Sequence, residues 1–209
     1  VITLHAVQNY GSVLQALATQ KLLEKHGCEV KIINYIREDV RYKNILQARS
    51  NGNIIKKIVL YPNVKKWKKV FKGFCNEYLN LTDRSYTTEN DFKDYPLDAD
   101  MFCTGSDQVW NSKWNQGIIS PLYLSFVPED KFRFSLAASF GQDKLSQDEV
   151  KATKKYIEKY NCISVRESSG KKIIEQQYKY PYAEHIIDPT LMLDDDEWRR
   201  FANNKKTTE

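Results

Sequence analysis

The chain has 209 residues, of which 41% are hydrophobic and 28% are charged, and its net charge is +5. This composition is typical of a globular protein with one large domain or two small ones. No apolar run approaches the roughly 18 residues that a transmembrane helix needs, so no segment is predicted to span a membrane.

The cysteines lie far apart, at Cys28, Cys75, Cys103 and Cys162. They form no CxxC pair, which argues against a zinc site and against thioredoxin-type chemistry. Cys103 and Cys162 lie in apolar runs, where a reduced thiol behaves as a small hydrophobic group. We therefore expect free thiols and a cytoplasmic protein.

The first 35 residues predict a strand, a helix and a second strand. Residues 1–5 form a short apolar run. Ser12 and Gln15 have the spacing of a capping box, so a helix is expected to begin there. Gly27 is suited to end that helix, because glycine readily adopts the left-handed conformation of a C-terminal cap. Residues 29–35 form the second strand, which completes a βαβ unit.

Residues 51–80 form a basic segment. It contains seven lysines and one glutamate, a net charge of +6, so the remaining residues carry −1. Pro62 is expected to separate a short apolar stretch at residues 54–60 from a longer amphipathic helix. That helix is predicted from apolar residues spaced by three and four positions, which are Val64, Trp67, Phe71, Phe74 and Tyr78.

We interpret the basic segment as a helical insertion on an α/β core, and two uses of its lysines remain open. A basic amphipathic helix can lie on an anionic membrane, because clustered lysines attract acidic lipids. Alternatively, the lysines form a solvated face over an apolar stripe that packs on the core. Nucleic acid is not an expected partner, because the segment has no arginine and no recognisable binding module.

Strands and helices alternate through the second half of the chain. Strands are predicted at residues 100–104, 122–126, 133–137, 162–165 and 185–187. Helices are predicted at residues 147–160, at residues 169–178 and from Asp194 onward, with capping boxes at Ser146/Glu149 and Asp194/Glu197. This alternation predicts an α/β fold with a mostly parallel sheet and helices on both faces. One domain is expected over residues 1–202, and residues 203–209 are expected to form a linker-like tail.

Polar residues follow the predicted strand at residues 100–104. The strand ends at Gly105, and the next candidates are Ser106, Asp107, Gln108, Trp110 and Asn111. Open parallel sheets bind ligands at the carboxyl ends of their strands. Carboxylates and amides suit vicinal sugar hydroxyls, and an indole ring suits the apolar face of a sugar. We therefore interpret this loop as a sugar-binding site, and the alternative is that Asp107 caps a helix starting at Gln108.

The turn before the first helix is a second candidate, formed by Asn9, Tyr10, Gly11 and Ser12. The free amides of a helix N-terminus can bind an anion or a sugar hydroxyl, although a plain turn would have the same composition. His5 is expected either to face the same cleft or to be a hydrogen-bonded core residue. The turn lacks the GxGxxG fingerprint, so a dinucleotide cofactor is not expected.

Charged residues follow the predicted strand at residues 162–165. Arg166 is well placed to bind a phosphate or a carboxylate with its guanidinium group. The alternative is an ion pair between Arg166 and Glu167 or Asp188. Ser139 also follows a strand and is expected either to line the cleft or to turn the chain.

Several of these segments resemble the polysaccharide pyruvyl transferase family. The resemblance lies in GSDQVWN (105–111), YLSFVPEDKFRFSLAAS (123–139), HAVQNYGSVLQALATQ (5–20), ISVRESSG (163–170) and IIDPTLML (186–193). It implies a glycosyltransferase-B-like architecture, in which two Rossmann-like domains face each other across a cleft. This chain would be the first domain, and its tail would lead to the second.

The resemblance also implies an activity, the transfer of pyruvate as a ketal from phosphoenolpyruvate to a sugar of a cell-surface or exopolysaccharide glycan. It implies neither a metal nor a cofactor, since phosphoenolpyruvate is a substrate. The acceptor would be a sugar or a lipid-linked glycan, which would place the protein in the cytoplasm or at the inner face of the membrane. The donor commonly binds the second domain in enzymes of this shape.

Within that frame, Asp107 is expected to orient or deprotonate an acceptor hydroxyl, and Arg166 is expected to reach the donor. Two other functions remain open. One is a glycosyltransferase of the same architecture that uses a nucleotide sugar, and the other is a non-catalytic glycan-binding domain.

Overall fold

The structure is a computed structural model, and it describes residues 1–40 and 42–202. The predicted tail at residues 203–209 lies outside the described residues. The α-helices are α1 (Tyr10–Lys25), α2 (Tyr42–Ser50), α3 (Ile54–Tyr78), α4 (Glu89–Asp94), α5 (Gln147–Ile157), α6 (Ser168–Lys172) and α7 (Asp195–Phe201). The strands are β1 (Ile32–Tyr35), β2 (Leu81–Tyr86), β3 (Met101–Thr104), β4 (Phe132–Ala138), β5 (Cys162–Val165) and β6 (Glu184–His185).

The strands of the described residues are parallel throughout. Four of them form a sheet in the order β3-β4-β5-β6, and β1 pairs with β2. Helices and strands alternate along the chain as predicted, which confirms an α/β, Rossmann-like fold. Because parallel strands end at the same edge, the loops after β3, β4, β5 and β6 meet at one side of the sheet.

The predicted first strand is instead a short connecting segment between the two sheets. The Ile33 amide donates to the Val1 carbonyl at 2.7 Å, and the Ile2 amide donates to the Cys103 carbonyl at 2.8 Å. Only an isolated bridge, between Ile2 and Thr104, has the strand pattern. The segment therefore joins β1 to β3 and extends the parallel arrangement across both sheets.

Helix α1 begins earlier than the capping box predicted. Its N-cap is Asn9, whose side-chain oxygen accepts from the Ser12 amide at 3.3 Å. Gln15 does not reach back to a free amide, because its side chain donates to the carbonyl of Ser12. Ser12 is therefore a helical residue of the first turn, with its hydroxyl left for another partner.

The basic segment forms a single helix, α3, that runs through Pro62 without a break. The prediction that Pro62 separates two elements was wrong. Val64 and Phe71 of the predicted apolar stripe are buried, as is Cys75. Phe71 and Cys75 belong to a hydrophobic cluster with residues of α1 and β1. The preceding α2, which the sequence did not predict, packs along α3. That packing provides a physical reason for continuity, because it compensates the hydrogen bond that proline removes.

The apolar run at residues 122–126 was wrongly predicted as a strand. Residues Ser120–Tyr123 form a 3₁₀ turn, and Leu124 follows in the left-handed conformation with φ of 58°. Leu122, Tyr123 and Leu124 are all buried, so the run has the composition of a strand without its geometry. Conversely, β2 was missed because its centre, Thr82 to Ser85, is polar.

The later elements agree with prediction to within a few residues. The capping box at Asp194 and Glu197 is confirmed. At Ser146 only half of the box forms, because its hydroxyl accepts from the Glu149 amide while Oε1 of Glu149 has no partner among the described residues. The helix predicted at residues 169–178 is α6 followed by a π-helical turn at Ile173–Gln177. All four cysteines are free, as expected.

Candidate functional site

A cleft of about 280 Å³ opens at the carboxyl edge of the sheet. It is formed by the start of α1 and by the chain following β3, β5 and β6. Its lining consists of Val7, Asn9, Gly11, Ser12, Gln15, Asp107, Gln108, Trp114, Arg166, Asp188 and Thr190. Six of the predicted site residues therefore lie together, namely Asn9, Gly11, Ser12, Asp107, Gln108 and Arg166.

Asp107 lies between α1 and β4 in an unusual backbone conformation. Its φ is 87°, a left-handed value that is uncommon for a residue with a side chain. The conformation is held because the Asp107 carbonyl accepts from the Ser139 amide at 3.0 Å. Residues with this conformation cluster at functional sites, where the surrounding structure compensates a strain of about 1–3 kcal/mol.

The carboxylate of Asp107 is fixed by two hydrogen bonds. The Ser12 hydroxyl donates to Oδ2 at 2.6 Å, and the Gln108 amide donates to Oδ1 at 2.7 Å. Residues 108–119, all of which the structure describes, form turns and loop rather than a helix. The alternative that Asp107 caps a helix was therefore wrong. The carboxylate instead joins the loop after β3 to the first turn of α1.

Arg166 forms ion pairs with both Glu167 and Asp188, the alternative that the sequence offered to the binding of a phosphate or a carboxylate. Its Nε donates to Oε1 of Glu167 at 2.9 Å, and its Nη1 donates to Oδ2 of Asp188 at 3.2 Å. Serine hydroxyls support both acids, because Ser139 donates to Glu167 at 2.8 Å and Ser106 donates to Asp188 at 2.7 Å. The predicted residues Ser106, Ser139 and Glu167 therefore lie behind the cleft and hold the groups that line it.

These contacts change the proton affinities of the ion pair. Burial alone would raise the pKa of Asp188, but hydrogen bonds from Thr190, Ser106 and Arg166 outweigh burial and lower it. Burial alone would lower the pKa of Arg166, but Glu167 and Asp188 outweigh burial and raise it. Asp188 and Arg166 are thus both charged at neutral pH.

The cleft consequently presents more hydrogen-bond acceptors than cations. Its charged lining residues are Asp107, Asp188 and Arg166, and the guanidinium of Arg166 is already paired. Gln15 adds a further acceptor, because its Oε1 is buried and has no hydrogen-bond partner within the described residues. Such a lining suits the hydroxyl donors of a sugar and disfavours a multiply charged anion.

The aromatic residue at the cleft is Trp114, not the predicted Trp110. Trp110 is fully buried, its indole N–H donates to the Leu122 carbonyl at 3.1 Å, and its ring stacks on Tyr123. Trp114 is 60% exposed and lines the cleft. The sequence placed two tryptophans in one loop, but only the register of the turn decides which of them faces the cleft.

Other predicted residues lie outside the lining. His5 is buried, with Nε2 3.4 Å from Oδ1 of Asn34, and burial lowers its pKa more than that contact raises it. This is the core environment that the sequence left open as an alternative. Gly105 packs under Thr3, where a Cβ would lie 3.1 Å from the Thr3 Cβ. Tyr10 points toward α3, with its ring centroid 5.3 Å from that of Phe71.

Asn111 shapes the loop from behind. Its side-chain amide donates to Oε1 of Gln108 at 2.7 Å, and its Oδ1 accepts from the Trp114 amide at 3.1 Å. Gly141 closes this packing, because a Cβ there would lie 2.5 Å from Nδ2 of Asn111. Asn111 therefore holds two lining residues in place without touching the cleft.

Within the described residues, no group of three or more His, Cys, Asp or Glu side chains is placed to hold a metal ion. The helices of the same residues include none that is long and apolar enough to cross a membrane.

The comparisons with known proteins bear on this site. The family model described as "Polysaccharide pyruvyl transferase" matches residues 9–209, nearly the whole chain, and every lining residue except Val7 lies within that range. Searches of curated proteins and of solved structures gave no match. The family indicates a transferase that acts on a polysaccharide, and the chain belongs to the polysaccharide pyruvyl transferase family.

Proposed function

We propose that this chain supplies the acceptor side of an enzyme that transfers pyruvate from phosphoenolpyruvate to a sugar of a cell-surface or exopolysaccharide glycan. The observation that carries the proposal is the Asp107 carboxylate, fixed at the edge of a cleft whose lining is rich in hydrogen-bond acceptors. Family membership supports the reaction, and the charge of the cleft supports the acceptor role.

The reaction defines what the site must do. Protonation of the methylene carbon of phosphoenolpyruvate creates an oxocarbenium-like centre at the neighbouring carbon. A sugar hydroxyl attacks that carbon and gives its proton to a base, phosphate leaves, and a second hydroxyl of the same sugar closes the ketal ring. The enzyme therefore needs a general acid, a base for each hydroxyl and cations for the donor.

Asp107 is the proposed base or orienting group for the acceptor hydroxyl. Its two oxygens each accept one protein hydrogen bond, and a carboxylate has about four acceptor positions, so lone pairs remain for sugar hydroxyls. Trp114 supplies an exposed indole on which the apolar face of the sugar packs. Gln15 and Gln108 provide the amide groups that complete the recognition of hydroxyls.

The donor is proposed to bind mainly on a second domain. One paired guanidinium does not neutralise both the phosphate and the carboxylate of phosphoenolpyruvate. Nη2 of Arg166 makes no hydrogen bond to the residues that the structure describes. Arg166 is therefore proposed to hold Asp188 and Glu167 with Nε and Nη1, and to offer Nη2 to the donor.

Helix α3 is proposed to contact an anionic membrane that carries a lipid-linked acceptor. Its first half exposes Ile54, Ile55, Ile58 and Val59, each at least 69% accessible to solvent. The lysines of the basic segment lie on the same helix. Apolar side chains that insert at the lipid interface and lysines that attract acidic headgroups are the two components of peripheral binding.

The proposed activity is tested by supplying the intact protein with either phosphoenolpyruvate or nucleotide sugars, together with a panel of oligosaccharides and lipid-linked glycans. We expect phosphate release that depends on both phosphoenolpyruvate and a glycan. Release of a nucleoside diphosphate from a nucleotide sugar would instead identify a glycosyltransferase. Glycan binding without turnover of either donor would identify a non-catalytic binding domain.

A further inference from the structure

A second cavity of about 380 Å³ adjoins the cleft. It lies between the start of α1, the end of α2 and the middle of α3, and it is lined by Gln8, Asn9, Tyr10, Arg49, Trp67 and Phe71. We call it the aromatic cavity. Asn9 lines both spaces, so they are neighbours along one surface. Its volume is within the range of about 300–1,000 Å³ that small-ligand sites occupy.

Three aromatic rings form one wall of the aromatic cavity. Trp67 and Phe71, one turn apart on α3, stack with centroids 5.7 Å apart and an interplanar angle of 22°. Tyr10 contacts both rings, and its centroid lies 6.0 Å from that of Trp67. Phe71 is buried, whereas Trp67 and Tyr10 are 36% and 61% exposed. The buried ring thus anchors an aromatic surface that remains open to a ligand.

Polar groups without partners flank this aromatic surface. Oε1 of Gln8 is buried and accepts no hydrogen bond in the described part of the chain. Arg49 is exposed, and no hydrogen bond or ion pair joins it to a described residue. A buried acceptor without a donor is costly, and a ligand hydroxyl would relieve that cost. An aromatic face with a few polar groups at its rim is the composition of a sugar site.

We infer that the aromatic cavity is a second sugar subsite, which binds the residue next to the pyruvylated sugar in the acceptor glycan. That sugar packs on Trp67 and Tyr10, donates a hydroxyl to Gln8 and accepts from Arg49. The inference rests on the proposed function for the identity of the sugar in the cleft. The acceptor would then be a chain of at least two sugars, one in the cleft and the next in the aromatic cavity, with Asn9 between them.

The test measures binding of an array of neutral and acidic mono-, di- and trisaccharides to the intact protein. Wild type is expected to bind at least one di- or trisaccharide at least tenfold more tightly than its component monosaccharides. Trp67→Ala and Arg49→Gln should remove most of that advantage. Trp67→Phe keeps an aromatic face and should retain the advantage, which separates ligand contact from a folding defect.

Two variants serve as matched controls. Tyr182→Ala removes an exposed aromatic ring outside both cavities and should change nothing. Asp107→Asn should weaken mono- and disaccharides alike. Equal binding of mono- and disaccharides by wild type, no bound glycan, or an unchanged advantage in Trp67→Ala would overturn the subsite. So would a loss of vesicle binding in Trp67→Ala without any effect on glycans, because the rings would then contact lipid.

Phosphate release from phosphoenolpyruvate, measured on the same proteins, separates the two hypotheses. A Trp67-dependent preference for longer glycans without phosphate release would contradict the pyruvyl transfer and leave the subsite standing. Phosphate release with equal KM values for mono- and disaccharides in wild type and Trp67→Ala would leave the activity standing and remove the subsite.

Discussion

At the scale of single residues, the conformation of Asp107 links backbone geometry to chemistry. Aspartate is among the few residues that tolerate a left-handed φ, since its short polar side chain bonds locally. Here φ is 87° and the carboxylate accepts from the next amide in the chain, that of Gln108. Glycine would adopt this conformation more easily but would remove the carboxylate. Position 107 therefore holds a carboxylate on a strained backbone.

Asp107→Asn keeps the shape of the side chain and removes its charge. If Asp107 is the base or the orienting group, the intact enzyme should lose about 10²–10⁴-fold in rate. The melting temperature should stay unchanged, since the asparagine oxygen still accepts from the Gln108 amide and the new NH2 group can donate to the Ser12 hydroxyl, which rotates to accept. Steady-state phosphate release and thermal unfolding check both values.

Two further substitutions control for backbone and surface effects. Asp107→Gly should be equally inactive without a lower melting temperature, because glycine relieves the positive φ. Asp83→Asn, at an exposed position on β2, should be fully active. Near-wild-type turnover in Asp107→Asn would remove Asp107 from the mechanism.

The ion pair at Asp188 predicts a pH dependence of stability. The pKa of Asp188 in the folded protein lies below its unfolded value of about 3.9. Its stabilising effect is therefore complete above about pH 4 and is lost as the pH falls through the folded pKa. Asp188→Asn should lower stability by about 1–3 kcal/mol at neutral pH, the usual contribution of charged hydrogen bonds.

Urea unfolding at a series of pH values measures this effect. The difference in unfolding free energy between wild type and Asp188→Asn should narrow as the pH is lowered from neutral to about 3. Asp83→Asn serves as the control for an exposed carboxylate. A difference that stays constant over the whole range would show that the charge of Asp188 does not stabilise the fold.

At the scale of elements, the sequence predicted most helices and buried parallel strands well. It failed for a buried turn, for a polar strand and for a helix that continues through a proline. Periodic apolar residues correctly located the inner face of α3, because the period reflects one buried stripe, and capping residues located α1 and α5 to within a few residues. The strand prediction failed at residues 122–126, since a buried turn and a buried strand both need apolar side chains. The polar centre of β2 and the continuity of α3 through Pro62 depend on neighbouring elements, which a local pattern does not include.

The candidate site could likewise be predicted only where it does not depend on the packing of neighbouring elements. Residues at strand ends, such as Asp107 and Arg166, could be assigned to the cleft because parallel topology brings those ends together. The choice between Trp110 and Trp114 could not be made, since it depends on the irregular turn after Asp107. Gln15 was read as a capping residue, although its burial at the cleft could be established only by the packing of α1 on Thr3.

The exposed face of α3 predicts binding to anionic lipid. Replacing Lys65, Lys66, Lys68 and Lys69 by Gln removes four positive charges from this helix. Each lysine near an acidic surface contributes about 1 kcal/mol, so co-sedimentation with vesicles rich in phosphatidylserine should fall steeply. Added salt should have the same effect on wild type, because it screens the attraction.

A second quadruple variant controls for net charge. Lys151, Lys154, Lys155 and Lys159, on and just after α5, are also exposed, and their replacement by Gln removes the same charge elsewhere. That variant should sediment like wild type. If wild type and both quadruple variants sedimented equally, or if none of them sedimented with vesicles, membrane binding through α3 would be contradicted.

At the scale of the whole molecule, the proposed function makes the described residues one wall of a reaction site. The cleft is partly open and its cations are few, whereas the oxocarbenium centre must be protected from water. A second wall that carries cations would exclude water and hold the two anionic groups of phosphoenolpyruvate. The acidic lining, the paired Arg166 and the family membership all agree with a division in which this chain holds the acceptor.

Calorimetric titration of residues 1–209 with phosphoenolpyruvate, followed by an assay for phosphate release in the presence of acceptor glycans, tests this division most directly. The account predicts a folded domain that binds acceptor sugars weakly, with Kd around 1 mM. It also predicts no detectable heat from phosphoenolpyruvate and no turnover. Binding of phosphoenolpyruvate, or glycan-dependent phosphate release by these residues alone, would contradict the account and place the donor site in this domain.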